Sequence, residues 1–433
     1  MNKISSSLKM FLMPCLIALS ALQAIDNHHF YRASNFFPVY HEPRYEECWL
    51  NSFDFTIGTG STHKSKRGSN CFEKCTPLLD LCGLYDIQAL GYNLPNKSTT
   101  NPVDLALINL SLLPERTDFA TLSYGGKFSI IEANFFFTQN FNNGMFFQLH
   151  FPVRRMKISH VSFTDLSPDD SIYPNINTPA WQNFLALYPG AFEQRFGINI
   201  GNSCETGLGD LSLLLGWTRN YENTEILDYI DFTLRFGVLV PTGKRANIND
   251  IFSLPLGYNG HVGIPLSFDV SLGSCDWFTA GAHIGVMPFA SRDGAIRVKT
   301  SEQQSGLIRL ETICAKISGG LLWDTTAYAK ADHVCGGLSF LLGYTFAHKQ
   351  ANMYKPLSES ATNPIVHCFP ECDLINSAWT IQTLHVLLEY DFFRECSVTP
   401  RLGFFYNHPL TGKHIFKTDM IGGTAGIDFT VNF

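Results

Sequence analysis

The chain is poor in charge and lacks any long apolar run beyond its first residues. Only 16% of its 433 residues are Asp, Glu, Lys or Arg, and these leave a formal net charge of −7. A nucleic-acid partner would call for a basic face, so that class of ligand is excluded. No stretch after the N-terminal region reaches the roughly 18 uninterrupted apolar residues that a membrane-spanning helix requires. Catalytic signatures are missing as well: there is no Gly-x-Ser-x-Gly elbow, no His-Glu-x-x-His pair and no Gly-x-x-x-x-Gly-Lys-Ser/Thr loop. The sequence therefore reads as a non-enzyme with no cofactor.

Aromatics and glycine are abundant instead, with 36 Phe, 16 Tyr and 34 Gly at a mean hydropathy of +0.01. About twelve segments alternate with the period of two that places successive side chains on opposite faces of a strand. In residues 228–240, Ile230, Phe232, Leu234, Phe236 and Val238 share one face and Asp231, Thr233 and Arg235 the other. In 260–273, Val262, Ile264, Leu266, Phe268 and Val270 oppose His261, Ser267, Asp269 and Ser271. The other segments are 49–59, 127–141, 145–155, 209–220, 277–289, 319–331, 336–347, 379–392, 397–407 and 420–433. Their connections run long and short in turn, as the outer loops and inner turns of transmembrane barrels do. Short turns are expected at Asn142-Asn-Gly144, Tyr221-Glu-Asn223, Ser274-Cys-Asp276, Asp332–Cys335 and Phe393–Cys396. The outer loops then cover about 60–126, 156–208, 241–259, 290–318, 348–378 and 408–419. The expected fold is all-β: one antiparallel transmembrane β-barrel of about 12 strands, spanning residues 25–433.

Lys3 and Lys9 precede an apolar run from Met10 to Leu22, and Leu22-Gln-Ala24 offers a small-residue cleavage site. Residues 1–24 therefore read as a signal peptide that is removed.

The inward faces carry charge. His150, Arg154, Asp231, Arg235, Asp269, Lys330 and Glu389 would point into the lumen, either as a ladder of mutually satisfied charges or as the lining of a selective pore. Asp231 and Arg235 sit four apart on one strand, roughly 13 Å at 3.3 Å per residue, so each needs a partner on a neighbouring strand or in water. Two apolar stretches fall inside outer loops, Val103–Leu113 and Pro179–Tyr188. In the second, Trp181, Phe184 and Tyr188 share a helical face and are candidates for a loop constriction.

Twelve cysteines are many for such a chain. Disulfides on one side of the membrane are the expected use; free thiols are an alternative, and Cys71-x3-Cys75 and Cys368-x3-Cys372 have spacing a metal site could use. No metal site is assigned.

The final strand, Met420–Phe433, resembles the closing strand of bacterial outer-membrane barrels, in which a terminal aromatic addresses the barrel-assembly machinery; Phe433 would be that residue here. Two further motifs, Thr206-Gly-Leu-Gly-Asp-Leu211 and Leu239-Val-Pro-Thr-Gly243, resemble those of the outer-membrane barrels known as MetA-pathway phenol-degradation proteins. That family is linked to outer-membrane transporters of hydrophobic compounds. The resemblance implies residence in the outer membrane of a Gram-negative-type bacterium, in contact with its lipid. The expected function is a porin-like channel or transporter that passes small solutes through a polar, charge-lined lumen. The other reading is a surface-exposed structural or adhesive barrel with a plugged lumen, whose long loops bind a partner.

Overall fold

In a computed structural model the described residues are 50–68, 74–92, 94, 97–113, 119–167, 179–222, 227–275, 277–301, 303–357, 378–392 and 398–430. The expected signal peptide, Phe433, and Cys48, Cys71, Cys368, Cys372 and Cys396 lie outside them. Twelve long strands follow one another: β1 (Leu50–Thr62), β2 (Thr121–Asn140), β3 (Met145–Asp165), β4 (Leu211–Glu222), β5 (Tyr229–Val240), β6 (Leu266–Ser274), β7 (Phe278–Met287), β8 (Leu322–Cys335), β9 (Leu338–Lys349), β10 (Trp379–Asp391), β11 (Val398–Lys413) and β12 (Met420–Thr430). Each pairs antiparallel with the next. β12 returns to β1, from Gly60↔Met420 to Leu50↔Thr430, and closes the sheet. Closure leaves no unpaired edge, which is the condition for a sheet to stand in lipid. Among the described residues no helix is long and apolar enough to cross a membrane.

The period-two pattern decides which way each strand faces. Leu234, Phe236, Leu266 and Phe268 are exposed on the outer surface, whereas Thr233, Arg235 and Ser267 are buried inside. β12 behaves alike: Ile421 and Ile427 face outward and Asp428 inward. Placing Arg at Leu234 or Leu266 should therefore destabilise the barrel by about 2–4 kcal/mol if those positions lie near the bilayer midplane. Thr233→Lys, on the inward face, should be much milder when both are unfolded by urea in lipid; equal damage at the two faces would contradict the register.

Five short connections occupy one end and five long ones the other, while the sixth outer connection, 414–419 between β11 and β12, is itself short at six residues. The turn expected at Asp332–Cys335 instead lies at Gly336–Gly337, with φ of +62° and +119°. Two glycines supply the left-handed backbone of a tight hairpin without steric strain, so β8 runs on to Cys335. β2 and β3 also extend past their expected outer ends, as their pairing continues to Leu122↔Asp165. β11 likewise extends to Lys413.

The long loops fold into a cap with its own structure. It holds α1 (Ile87–Gly91), α2 (Pro102–Ser111), α3 (Pro179–Leu187) and α4 (Gly190–Phe196), and a three-stranded sheet of Arg292–Val298, Glu311–Ser318 and Met353–Pro356. α2 begins where Asn101 accepts the Val103 amide at 2.9 Å and Pro102 fills the first helical position, the usual chemistry of a helix start. A continuous apolar core then joins cap to barrel. Leu107, Trp181, Phe184 and Phe252 from the loops pack with Phe128, Ile130, Met156 and Ile158 from the outer ends of β2 and β3.

Candidate functional site

The apolar core of the cap reaches the outer ends of β2 and β3, and inward-facing positions elsewhere on the strands include buried hydroxyl side chains. Thr56, Thr218, Thr233, Ser267, Thr326 and Thr345 are buried on the inward face. Thr218 and Thr233 bond across strands at 3.0 Å, and Thr326 and Thr345 at 2.9 Å.

The inward charges are organised in groups that span several strands. Glu132 and Arg154 stand opposite each other on β2 and β3 and form an ion pair, and Arg154 Nη1 also donates to the Leu256 carbonyl at 3.2 Å. Arg235 pairs with Asp269 on β6 and donates through Nε to Gln148 on β3 at 3.1 Å. Asp269 meets His283 Nδ1 at 2.7 Å, and His283 Nε2 lies 3.5 Å from Asp324 on β8. This network thus reaches from β3 to β8. It crosses β4 at Gly216, where an added Cβ would fall 2.0 Å from the Phe146 ring. The ring occupies the glycine's place, and the Arg235 guanidinium stacks over it at 5.7 Å, a cation–π contact.

On the far wall Arg401 of β11 bonds Asp54 of β1 at 2.7 Å and approaches Asp428 of β12 at 3.2 Å. The same device recurs there, since an added Cβ at Gly426 would lie 2.2 Å from Asp54 Oδ1. A missing side chain on the intervening strand lets the two flanking strands pair across it.

The remaining residues anticipated from sequence are dispersed. His150 is buried, stacked on Phe136 at 4.3 Å and 3.3 Å from Asn134 Oδ1. Lys330 reaches Asp332 at 3.2 Å near a short turn. Glu389 is buried on β10 opposite Ser339 and Gly403, and Asp231 is half-buried on β5 opposite Asn220 and Ser271. Trp181, Phe184 and Tyr188 do share one face, but that face lies inside the cap: Trp181 stacks on Phe184 at 5.5 Å and donates to Asp165 Oδ2 at 2.8 Å. Cys75, Cys204, Cys275 and Cys314 carry free thiols, so disulfides do not account for these four. Among the described residues no group of three His, Cys, Asp or Glu is placed to hold a metal ion.

The two motifs on which the family resemblance rests meet in space. Asp210, which ends Gly207-Leu-Gly-Asp210, is buried and accepts the amides of Gly243 at 2.9 Å and Tyr258 at 2.5 Å. Thr242 of the second motif donates to the Gly209 carbonyl at 2.6 Å, and the Gly209 amide donates to Pro152 at 2.8 Å. Gly209 leaves no room for a Cβ, which would come 2.6 Å from Pro152 and 2.9 Å from Arg154. Together the motifs tie loop 241–260 to the barrel wall beside the Glu132–Arg154 pair.

Two carboxyl groups of the cap are shifted by burial. Asp80 accepts Ser123 Oγ at 2.5 Å and the Tyr124 amide at 2.7 Å, yet burial pushes its carboxyl up to about 6 from 3.8. Asp250 is raised to about 6 for the same reason. A carboxyl whose folded-state pKa is raised favours the protonated form, so its stabilisation is full below the unfolded value and is lost as pH rises through about 6. Hydrogen exchange of residues 78–90 and 247–254 should accordingly quicken from pH 4 to pH 6.5, after correction for intrinsic exchange, and then level. Protection unchanged over that range would contradict the assignment.

No protein-family model and no curated protein matches the sequence. Among solved structures, the chain is similar to an outer membrane channel from Pseudomonas putida F1, 11% identical at a TM-score of 0.47, with 90% of this chain and 100% of that one covered. The Pseudomonas putida toluene transporter TodX is 11% identical at a TM-score of 0.27, with 96% and 95% covered. A Pseudomonas aeruginosa FadL homologue is 8% identical at 0.29, with 88% and 89% covered.

Proposed function

We propose that this protein is an outer-membrane channel for small solutes, held closed at its outer mouth by the loop cap. The observation that supports this reading is that inward-facing strand positions carry Thr, Ser and paired charges, whereas the loops at the outer end build an apolar core. Eight strands enclose an interior that side chains alone can fill, whereas twelve enclose a wider one. The paired charges hold the wall in shape, and they present alternating sign to a passing solute. Residues Arg154, Arg235, Asp269 and Glu389 line the path in this reading, and Trp181, Phe184 and Tyr188 anchor the stopper.

The competing reading is a surface barrel with a permanent plug, and the well-packed cap core favours it. Single-channel recording in planar bilayers separates the two. Wild-type protein should show low or intermittent conductance, and Trp181→Ala/Phe184→Ala, which loosens the cap, should show larger and longer openings. A folded barrel that stays silent in both forms would overturn the channel reading in favour of the surface barrel.

A further inference from the structure

The outward face of β1, β2 and β3 changes character along its length. One row of paired residues, Ile57, Ala133, Val153 and Leu208, is apolar; Leu208 belongs to the short strand Ser203–Leu208 that pairs with β3. Ile57 and Leu208 are 49% and 54% exposed there, as lipid-facing residues are. Two residues farther toward the long loops the row reads Thr59, Ile131, Arg155 and Thr206, and the next reads Ser61, Ser129, Lys157 and Cys204. Lys127, opposite Ser159, follows directly. Arg154 and Met156 are buried on the inner face, so alternation sends Arg155 and Lys157 outward, and both are exposed. Nothing in the channel reading uses this patch.

We propose that this patch seats a phosphorylated membrane glycolipid, with its phosphates on Lys127, Arg155 and Lys157 and its acyl chains against the apolar rows beneath. Arg155 and Lys157 stand about 7 Å apart on one strand, and Lys127 is a diagonal neighbour of Lys157 at about the same distance. Among the described residues none of the three makes an ion pair. Carboxylates in this part of the chain are engaged elsewhere. Glu205 stands opposite Met156 on the inner face and pairs with Lys244. Asp165 accepts Trp181 Nε1 at 2.8 Å, and Asp419 meets His408 at 2.6 Å. The three cations are therefore available, on a paired backbone that fixes their spacing.

Chemistry selects phosphate, because the guanidinium fork binds it through two parallel hydrogen bonds and a lysine serves it as a point charge. Position selects a lipid. A free phosphate ion would gain nothing from the apolar rows, whereas an amphiphile uses both halves of the face. Three cations spread over roughly 14 Å of sheet exceed what one phosphate can reach, which favours a head that carries more than one. The patch is also confined to one sector of the wall: on β10 the outward positions at the same end are Thr380 and Gln382, which carry no charge. It lies at the end bearing the long loops, which the channel reading places outside, so the lipid is one of the outer leaflet.

Native mass spectrometry of the purified protein in detergent tests this, with diphosphoryl lipid A as probe, phosphatidylethanolamine as a lipid without net charge and inorganic phosphate as competitor. Lipid A should bind saturably and more tightly than phosphatidylethanolamine, and excess phosphate should displace little of it. Arg155→Gln/Lys157→Gln should weaken lipid A by about 30-fold, since each cation near an anionic lipid surface contributes about fivefold. Arg219→Gln, which removes an exposed cation at the short-turn end of β4, should leave binding unchanged. All these side chains point away from the lumen, and heat-modifiable migration on gels verifies that the variants fold. Lipid A binding that ignores the double variant, an equal loss in Arg219→Gln, or no lipid A on the folded protein would each overturn the site. Full displacement by phosphate, or phosphatidylethanolamine binding as tightly, would overturn the phosphorylated glycolipid as its occupant. Binding is read without conduction, so a barrel that passes no current leaves the inference standing.

Discussion

Arg401→Met should destabilise the folded barrel by about 3–5 kcal/mol, the range for removing one partner of a buried ion pair. Exposed salt bridges contribute about 0–1 kcal/mol by comparison. The difference arises because Arg401 answers two carboxylates at once. Asp54 and Asp428 are both buried, and they reach Arg401 from β1 and β12 at 2.7 and 3.2 Å. Without the guanidinium, two carboxylates face each other across the seam where the chain closes on itself. Gly426→Val should produce the same defect while leaving every charge in place, because its side chain would occupy the gap through which Asp54 and Arg401 meet. Adding Asp54→Asn to Arg401→Met should recover part of the loss, since one unpaired charge is removed. Urea unfolding in lipid vesicles, followed by tryptophan fluorescence, measures all three. A loss under 1 kcal/mol for Arg401→Met would mean that the seam is held by backbone pairing alone.

The barrel was legible in the sequence because its rule is local. Each of the twelve strands overlaps a segment marked by alternation, although β6 starts at Leu266 rather than at 260 and β2, β3 and β11 run longer than expected; Arg235 finds its partner Asp269 on the neighbouring strand. The apolar stretches at Val103–Leu113 and Pro179–Tyr188 were also visible, because an apolar patch in an otherwise polar loop must be covered by something, but a helical face was legible only in the second. What alternation cannot show is contact between strands that are not adjacent. Gly216 and Gly426 read as unremarkable strand glycines, and their value appears only when Phe146 or the Asp54–Arg401 pair is seen occupying the missing side chain.

The cap arginines were missed for a related reason. Arg245, Arg292, Arg297 and Arg309 are scattered over two loops and follow no period, and they meet only at one cavity of the folded cap. α4 and the cap sheet escaped notice because short elements in long loops are decided by tertiary packing rather than by propensity.

Asp210→Ala should free loop 241–260 from the barrel wall. The carboxylate accepts two amides that have no exposure to water, and leaving each unsatisfied costs about 1–3 kcal/mol, so about 2–6 kcal/mol is at stake. The loss would be local before it is global. Gly243 and Tyr258 bracket the loop, and Leu256, between them, supplies the carbonyl that Arg154 uses on its way to Glu132. Releasing the loop therefore unseats Phe252 from the cap core and loosens the inward-facing pair at the same time. Asp210→Asn keeps one acceptor oxygen and should fall between wild type and alanine. Gly257→Ala should mimic the alanine variant, as its Cβ would come 2.3 Å from the Asp210 carboxyl oxygens. Limited proteolysis of the folded, detergent-solubilised protein reads this directly: cleavage within 244–256 should appear in Asp210→Ala and Gly257→Ala while the barrel fragment stays heat-modifiable. Wild-type resistance in Asp210→Ala would show that Thr242 and the apolar contacts hold the loop without it. The two motifs would then owe their pairing to turn geometry rather than to the buried carboxylate.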